Sequence, residues 1–233
     1  MRRETLQTPE PEADKLDVWT SIFPPVCLGC ERLLRHDEPL ALCTRCRPLQ
    51  AELPESLAER AGVRAMWSYD GPLHRAVVAL KFSGALALAG PLGRLLAQDP
   101  RLLVDPEGRP IELVIPVPLH WRRRLLRGFD QSEELARWAL HHAERMHGSA
   151  PPLGQRVLCR RVATQPQTEL DAREREANVE AVFEVRRPEQ VRGRRMLVVD
   201  DVTTTGATAR ACAAALRDAG AASVQCLALL RTL

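Results

Sequence analysis

Residues 196–208 read Met-Leu-Val-Val-Asp-Asp-Val-Thr-Thr-Thr-Gly-Ala-Thr, and no other stretch of this 233-residue chain narrows its fold so far. Met196, Leu197, Val198 and Val199 are apolar with no polar alternation. That pattern predicts a short strand buried on both faces, as in a parallel sheet. Asp200 and Asp201 follow at its C-terminal end, which is where open α/β sheets bind ligands. Residues 202–206 supply a turn, and 207–219 read as a helix whose first amide groups lack intrahelical partners and favour an anion. The threonines add donors, and Gly206 lets a phosphate approach the backbone closely. The stretch therefore offers a phosphate cradle beside two carboxylates that can accept hydrogen bonds from a diol. A ribose 5-phosphate suits both halves.

Three rival readings fit less well. A P-loop NTPase needs a Gly-rich loop ending in Gly-Lys-Ser/Thr. The only lysines are Lys15 and Lys81, and neither follows a glycine. A dinucleotide fold needs Gly-x-Gly-x-x-Gly after a strand, and the chain has none. An ordinary strand–turn–helix with a threonine cap leaves the run of two Asp, three Thr and a Gly without a reason.

The second constraint is cysteine spacing. Cys27, Cys30, Cys43 and Cys46 form C-x₂-C-x₁₂-C-x₂-C. Two such knuckles aim four thiolates at one point and predict a closed, structural zinc site with no open position for chemistry. One zinc per chain is expected, needed to fold residues 19–50 but not the core. Gly29 is expected to supply a permissive backbone inside the first knuckle, and His36 is read as a loop residue rather than a ligand. The other three cysteines, Cys159, Cys212 and Cys226, fall in apolar positions and read as small hydrophobes. Seven cysteines in this arrangement predict a reducing, cytoplasmic location with a metal rather than a disulfide framework.

Hydrophobic residues make up 45% of the chain, enough for a packed core, and the net charge of +3 is too small to imply nucleic-acid binding by itself. Residues 1–17 have no periodicity and read as a disordered tail without a secretory signal. No run approaches the roughly 18 apolar residues of a membrane helix. Residues 48–60 suggest a linker or short helix. Residues 64–70 alternate like a strand and end at the Gly71-Pro72 turn. Residues 74–82 predict an amphipathic helix with Val77, Val78 and Phe82 inward, and 86–97 a second helical run. Residues 99–110 read as a loop.

Residues 113–118 predict a buried strand whose prolines stop its pairing. The loop after it carries Arg122, Arg123, Arg124 and Arg127, ahead of a helix from Ser132 to about residue 147. Guanidinium groups between a strand end and a helix start suit a pyrophosphate, although a basic surface loop or nucleic-acid patch has the same composition. Lys81, in so Arg-rich a chain, stands out as a compact ammonium, although an exposed charge at a helix end fits the sequence slightly better. Residues 156–162 and 183–185 read as strands leaving and returning around 163–179, a solvated helix or a lid. Residues 223–230 read as the last buried strand.

The 196–208 stretch resembles the phosphoribosyl pyrophosphate (PRPP) motif of type I phosphoribosyltransferases. With Phe23-Pro-Pro-x-Cys27, Tyr69-Asp-Gly-Pro, Leu80-Lys-Phe-x-Gly84, Pro116-Val-Pro-Leu-His120, Arg127-Gly-Phe-Asp-Gln131, Arg161-x-x-Thr164-x-x-Gln167 and Arg175-x-x-Asn178, the chain from Trp19 onward is similar to the ComF/GntX-like proteins of bacterial competence. The resemblance implies an α/β, mainly parallel open sheet flanked by helices, with a small N-terminal four-Cys zinc ribbon. It implies a ribbon and linker over 18–60 and a phosphoribosyltransferase-like domain over 61–233, with a hood at about 64–97 and a core at about 111–233. In that family Asp200 and Asp201 would hold the ribose hydroxyls. Thr204, Thr205, Gly206, Ala207 and Thr208 would wrap the 5-phosphate. Arg122, Arg123, Arg124, Arg127 and Lys81 would meet the pyrophosphate, and Arg161, Thr164 and Gln167 would belong to a flexible loop closing over the ligand. One departure is Asp130, where the family has Asn.

The implied function is Mg²⁺-dependent transfer from PRPP to an unidentified acceptor, linked to natural transformation and incoming single-stranded DNA. The implied partners are PRPP or ribose 5-phosphate, single-stranded DNA and DNA-processing proteins, with no membrane. The alternative is a non-catalytic module of the same fold that senses PRPP or docks DNA or protein partners.

Overall fold

The computed structural model describes residues 26–34, 41–119, 127–160 and 183–233. The tail over 1–17, His36, Arg122, Arg123, Arg124, Arg161, Thr164 and Gln167 lie outside the described residues.

In chain order the described elements begin with α1 (Glu55–Ala58), β1 (Glu59–Arg60), β2 (Val63–Ser68), α2 (Pro72–Ser83), α3 (Ala89–Leu96) and β3 (Leu113–Pro116). They continue with α4 (Gln131–His147), β4 (Leu158–Arg160), β5 (Phe183–Val185), β6 (Arg195–Thr203), α5 (Ala207–Asp218) and β7 (Ser223–Arg231). A five-stranded sheet runs β1-β2-β7-β6-β3. Only the β1–β2 pair is antiparallel, and the other three pairs are parallel. β4 and β5 form a separate antiparallel pair.

Strand alternation sends the apolar side chains of β6 to two cores. Leu197 and Val199 pack in a cluster with Leu73, Val77 and Leu80 of α2, Leu92 of α3 and Leu135 of α4. Met196 and Val198 pack with Cys212, Ala213 and Leu216 of α5. Helices thus cover both faces, which a parallel sheet requires. Backbones come close where α3 meets α4. A Cβ on Gly93 would lie 2.6 Å from Trp138 Cβ and 2.8 Å from the Ala139 amide.

Several expectations need correction. The buried face of α2 is Leu73, Ala76, Val77 and Leu80, an i, i+3, i+4, i+7 stripe. Val78 is half-buried, and Phe82, off that stripe, is 73% exposed instead of inward. β6 continues through Asp200 and Asp201 to Thr203, because β7 stays paired with it up to Arg231. The segment read as hood contributes β2 to the main sheet itself. Residues 86–97 form a 3₁₀ turn (Leu86–Leu88) followed by α3 rather than one helical run. Asp130, the departure from the family, is buried as the N-cap of α4. It accepts from the Ser132 and Glu133 amides and, across the loop's base, from Leu119 N at 2.8 Å. Its charge is spent on amide donors, which is how such caps stabilise helix starts.

Candidate functional site

α2 and α4 bring side chains to the C-terminal end of β6, beside β3. At the end of β6 the two carboxylates take different partners, one from α4 and one from α2. Asp200 Oδ1 accepts from Ser132 Oγ at 3.0 Å, at the start of α4, and from the Asp201 amide at 2.9 Å. Asp201 is 3% exposed. Its Oδ1 accepts from the Val202 amide at 2.7 Å and lies 3.0 Å from Lys81 Nζ, at the end of α2. Its Oδ2 is buried and, among the described residues, has no hydrogen-bond partner. Buried polar atoms are normally satisfied, so this carboxylate stands one donor short.

Burial, and next the Asp201 carboxylate beside it, push the Asp200 carboxyl from 3.8 up to about 8. An unfolded chain ionises this group near its ordinary value. Between roughly pH 4 and pH 8 the unfolded state has therefore lost a proton that the folded state keeps, and stability falls as pH rises through that window. Asp200→Asn cannot ionise and should remove this slope. Its melting temperature should gain on the wild type's from pH 5 to pH 8. Parallel melting curves across that range would mean that Asp200 ionises at an ordinary carboxylate pH.

Next to the pair, residues 204–208 turn from β6 into α5. Gly206 sits at φ +79°, a left-handed conformation that glycine adopts without penalty, and it caps the helix. Ala207 N donates to Thr205 Oγ1 at 3.3 Å. Thr204, Thr205 and Thr208 are exposed, and Ala207 is half-buried. A cleft of about 580 Å³ shares Thr204 and Thr205 with this loop and is further lined by Arg60, Ala61, Arg210 and Thr232. Arg210 donates to Thr205 O at 2.7 Å and to Ala61 O at 3.4 Å, tying the loop to the β1–β2 turn.

Sequence reasoning missed Ser132, Arg60 and Arg210. Only Arg210 had a faint signal, a cation one helical turn beyond Gly206. Arg60 had none, since only the hairpin brings it to the loop. The structure pairs Lys81 with Asp201 at 3.0 Å, a contact the resemblance did not imply, since it assigned Lys81 to the pyrophosphate. Arg127, four residues before Gln131, sets its Nη1 3.0 Å from Gln131 Oε1. The remaining arginines of that loop, Arg122, Arg123 and Arg124, lie outside the described residues, as do Arg161, Thr164 and Gln167.

The four cysteines form a second site. The sulfurs of Cys27, Cys30, Cys43 and Cys46 lie within 4.8 Å of one another, and Cys30 and Cys43 are 3.8 Å apart. Tetrahedral zinc with 2.3 Å bonds to sulfur sets its ligands about 3.8 Å apart, so the donor set fits that ion. Amides of Gly29 and Cys43 donate to Cys27 Sγ at 3.4 and 3.3 Å, as a thiolate would want. Gly29 serves differently from expectation. The left-handed residue of the first knuckle is Glu31 at φ +60°. Gly29 is required by close packing, because a Cβ there would meet Pro72 Cβ at 2.5 Å.

Comparison with known proteins bears on the first of these sites. A family model described as the phosphoribosyl transferase domain matches residues 154–232, which contain the 196–208 stretch. A DNA utilization protein YhgH from Salmonella typhi is 34% identical over 217 residues, 89% of this chain and 91% of the relative. Competence protein F of Haemophilus influenzae is 30% identical over 174 residues, 70% of this chain and 69% of the relative. The chain belongs to the ComF/GntX-like family. Among solved structures, one titled as the allosteric regulatory enzyme of purine biosynthesis is 24% identical, covering 60% of this chain and 25% of its own at a TM-score of 0.39. This ComF/GntX-like chain therefore carries a phosphoribosyltransferase domain, built on a mostly parallel sheet, behind an N-terminal four-cysteine cluster. Among the described residues no helix is long and apolar enough to cross a membrane.

Proposed function

We propose that the site at the end of β6 binds PRPP and that the protein transfers its phosphoribosyl group in the service of DNA handling. The observation that carries this reading is the unpartnered, buried Oδ2 of Asp201, one residue from Asp200 and three from a Thr-rich loop at a helix start. A ribose hydroxyl supplies the donor that oxygen needs, and its 5-phosphate reaches Thr204, Thr205, Gly206, Ala207 and Thr208, with Arg60 and Arg210 at the flank. Arg127 and, in the adjoining segment, Arg122, Arg123 and Arg124 face the pyrophosphate, whose departure they assist by stabilising its charge. Lys81 is read as the residue that holds Asp201 in place, because it would have to leave that carboxylate to meet a pyrophosphate. Arg161, Thr164 and Gln167 belong to the cover that keeps water from the sugar cation. Bound Mg²⁺ would neutralise pyrophosphate oxygens, and zinc on the four cysteines is structural.

The DNA part rests on relatives named for DNA utilization and competence, with cytoplasmic, reducing conditions keeping the thiols available for zinc. A non-catalytic PRPP sensor shares every binding feature. Pyrophosphate release, screened over bases, amines and single-stranded DNA, separates the two.

Binding itself is tested by melting and calorimetry. Mg-PRPP should raise the wild-type melting temperature by mass action, ribose 5-phosphate less, and ATP little. Asp200→Asn with Asp201→Asn should abolish the PRPP shift while the apo protein stays folded. Equal PRPP affinity in both proteins, or a preference for ATP, overturns the reading.

A further inference from the structure

The last turn of α2 places two consecutive residues very differently. Lys81 is drawn inward to Asp201, whereas Phe82 holds a large apolar ring in water, 73% exposed. The helix does not need Phe82 for packing, since its core stripe is complete without it. The ring is not featureless, however. The Arg127 guanidinium stands over it, 5.0 Å from the centroid, and that guanidinium is held from α4 by Gln131 Oε1 at 3.0 Å. An exposed aromatic ring and a restrained arginine are what proteins use to stack unpaired bases, since every base has a π-face.

The position gives the pair its meaning. Phe82 follows directly on Lys81, whose partner Asp201 is read above as a ribose ligand. In any nucleoside the base is joined to the ribose, so a base belongs beside that carboxylate.

We propose that Phe82, backed by Arg127, is a stacking platform for a nucleobase, whether a free base or one carried in a single strand. Its placement rests on the ribose reading of Asp201, but the stacking surface stands or falls separately.

The test uses the full-length protein, wild type and Phe82→Ala, with a single-stranded oligodeoxyadenylate containing one 2-aminopurine. An oligomer of the same length made of abasic units serves as control. Free adenine and the Mg-PRPP melting shift are measured in parallel. Loss of one base stack should weaken oligodeoxyadenylate binding by about 5- to 150-fold and remove the 2-aminopurine quenching. Phe82→Tyr should restore both, and abasic oligomer should bind the two proteins alike. Binding of adenine alone, lost in Phe82→Ala, supports the platform with a free base as occupant. Equal oligodeoxyadenylate affinity in wild type and Phe82→Ala overturns the proposal. So does an equal loss on abasic oligomer, or a wild type that binds neither oligomer nor base. A protein indifferent to Mg-PRPP that still loses base stacking in Phe82→Ala keeps the platform and discards the ribose reading.

Discussion

A Cys43→Ser, Cys46→Ser protein should lose close to one zinc per chain and, with it, stability well beyond the ribbon. The reason is shared packing. Cys27, Leu28, Leu34, Leu42, Cys43 and Cys46 belong to the same buried cluster as Leu73, Ala76, Val77 and Leu80 of α2. Pro72, at the start of that helix, fills the space a Gly29 side chain would take. Metal held by four thiolates is folding free energy, with apparent values of about 10–16 kcal/mol in zinc-finger peptides. Because the ribbon and α2 bury the same surface, releasing the metal should loosen the helix that carries Lys81. From sequence alone zinc was expected to matter for residues 19–50 and not for the core, and the packing argues against that division. Metal analysis and calorimetry should show one cooperative transition, shifted down and lacking zinc. Undiminished zinc in the variant defeats the metal assignment, and zinc loss with an unmoved transition defeats the coupling.

Lys81→Met should cause the other large loss. Removing the ammonium leaves Asp201 buried with one oxygen already unpartnered. Breaking a fully buried pair costs about 3–5 kcal/mol, because the surviving charge stays desolvated. Lys81 keeps a fifth of its side-chain surface in water, so about 2–3 kcal/mol is expected. Adding Asp201→Asn should recover most of it, since the double variant buries no orphaned charge. Urea unfolding of both single variants, the double and wild type closes the cycle. A Lys81→Met protein within about 0.5 kcal/mol of wild type, the range of ordinary surface substitutions, would show that the contact carries no weight.

The sequence was informative where chemistry is written in consecutive residues. The acid pair, the threonine loop and the four cysteines need particular residue types at fixed spacing, and the fold keeps them together. It was less informative where a side chain's role depends on what lies opposite. Phe82 looks like core until the stripe from Leu73 to Leu80 is known to satisfy the sheet. Gly29 looks like a turn residue, yet its cause is Pro72, far along the chain. Asp130 looks like a misplaced charge until three amides are found around it. The end of β6 was misplaced for a similar reason: Val202 and Thr203 read as the start of the turn, but pairing with β7 carries the strand to Thr203. Ser132 and Arg60 reach the site through helix and hairpin geometry, which no local pattern encodes.

The small antiparallel pair of β4 and β5 also bears on how such a chain can change over time. Arg160 lies opposite Phe183 in its register, so the chain on either side of residues 161–182 is held at neighbouring points. A closed excursion of this kind can grow or shrink without displacing the strands that anchor it. Doubling its length costs only about 0.6 kcal/mol in closure entropy. The parallel sheet, whose strands are locked in register by buried side chains on both faces, has no such latitude. Changes of length between Arg160 and Phe183 should therefore leave both the small antiparallel pair and the parallel sheet in place.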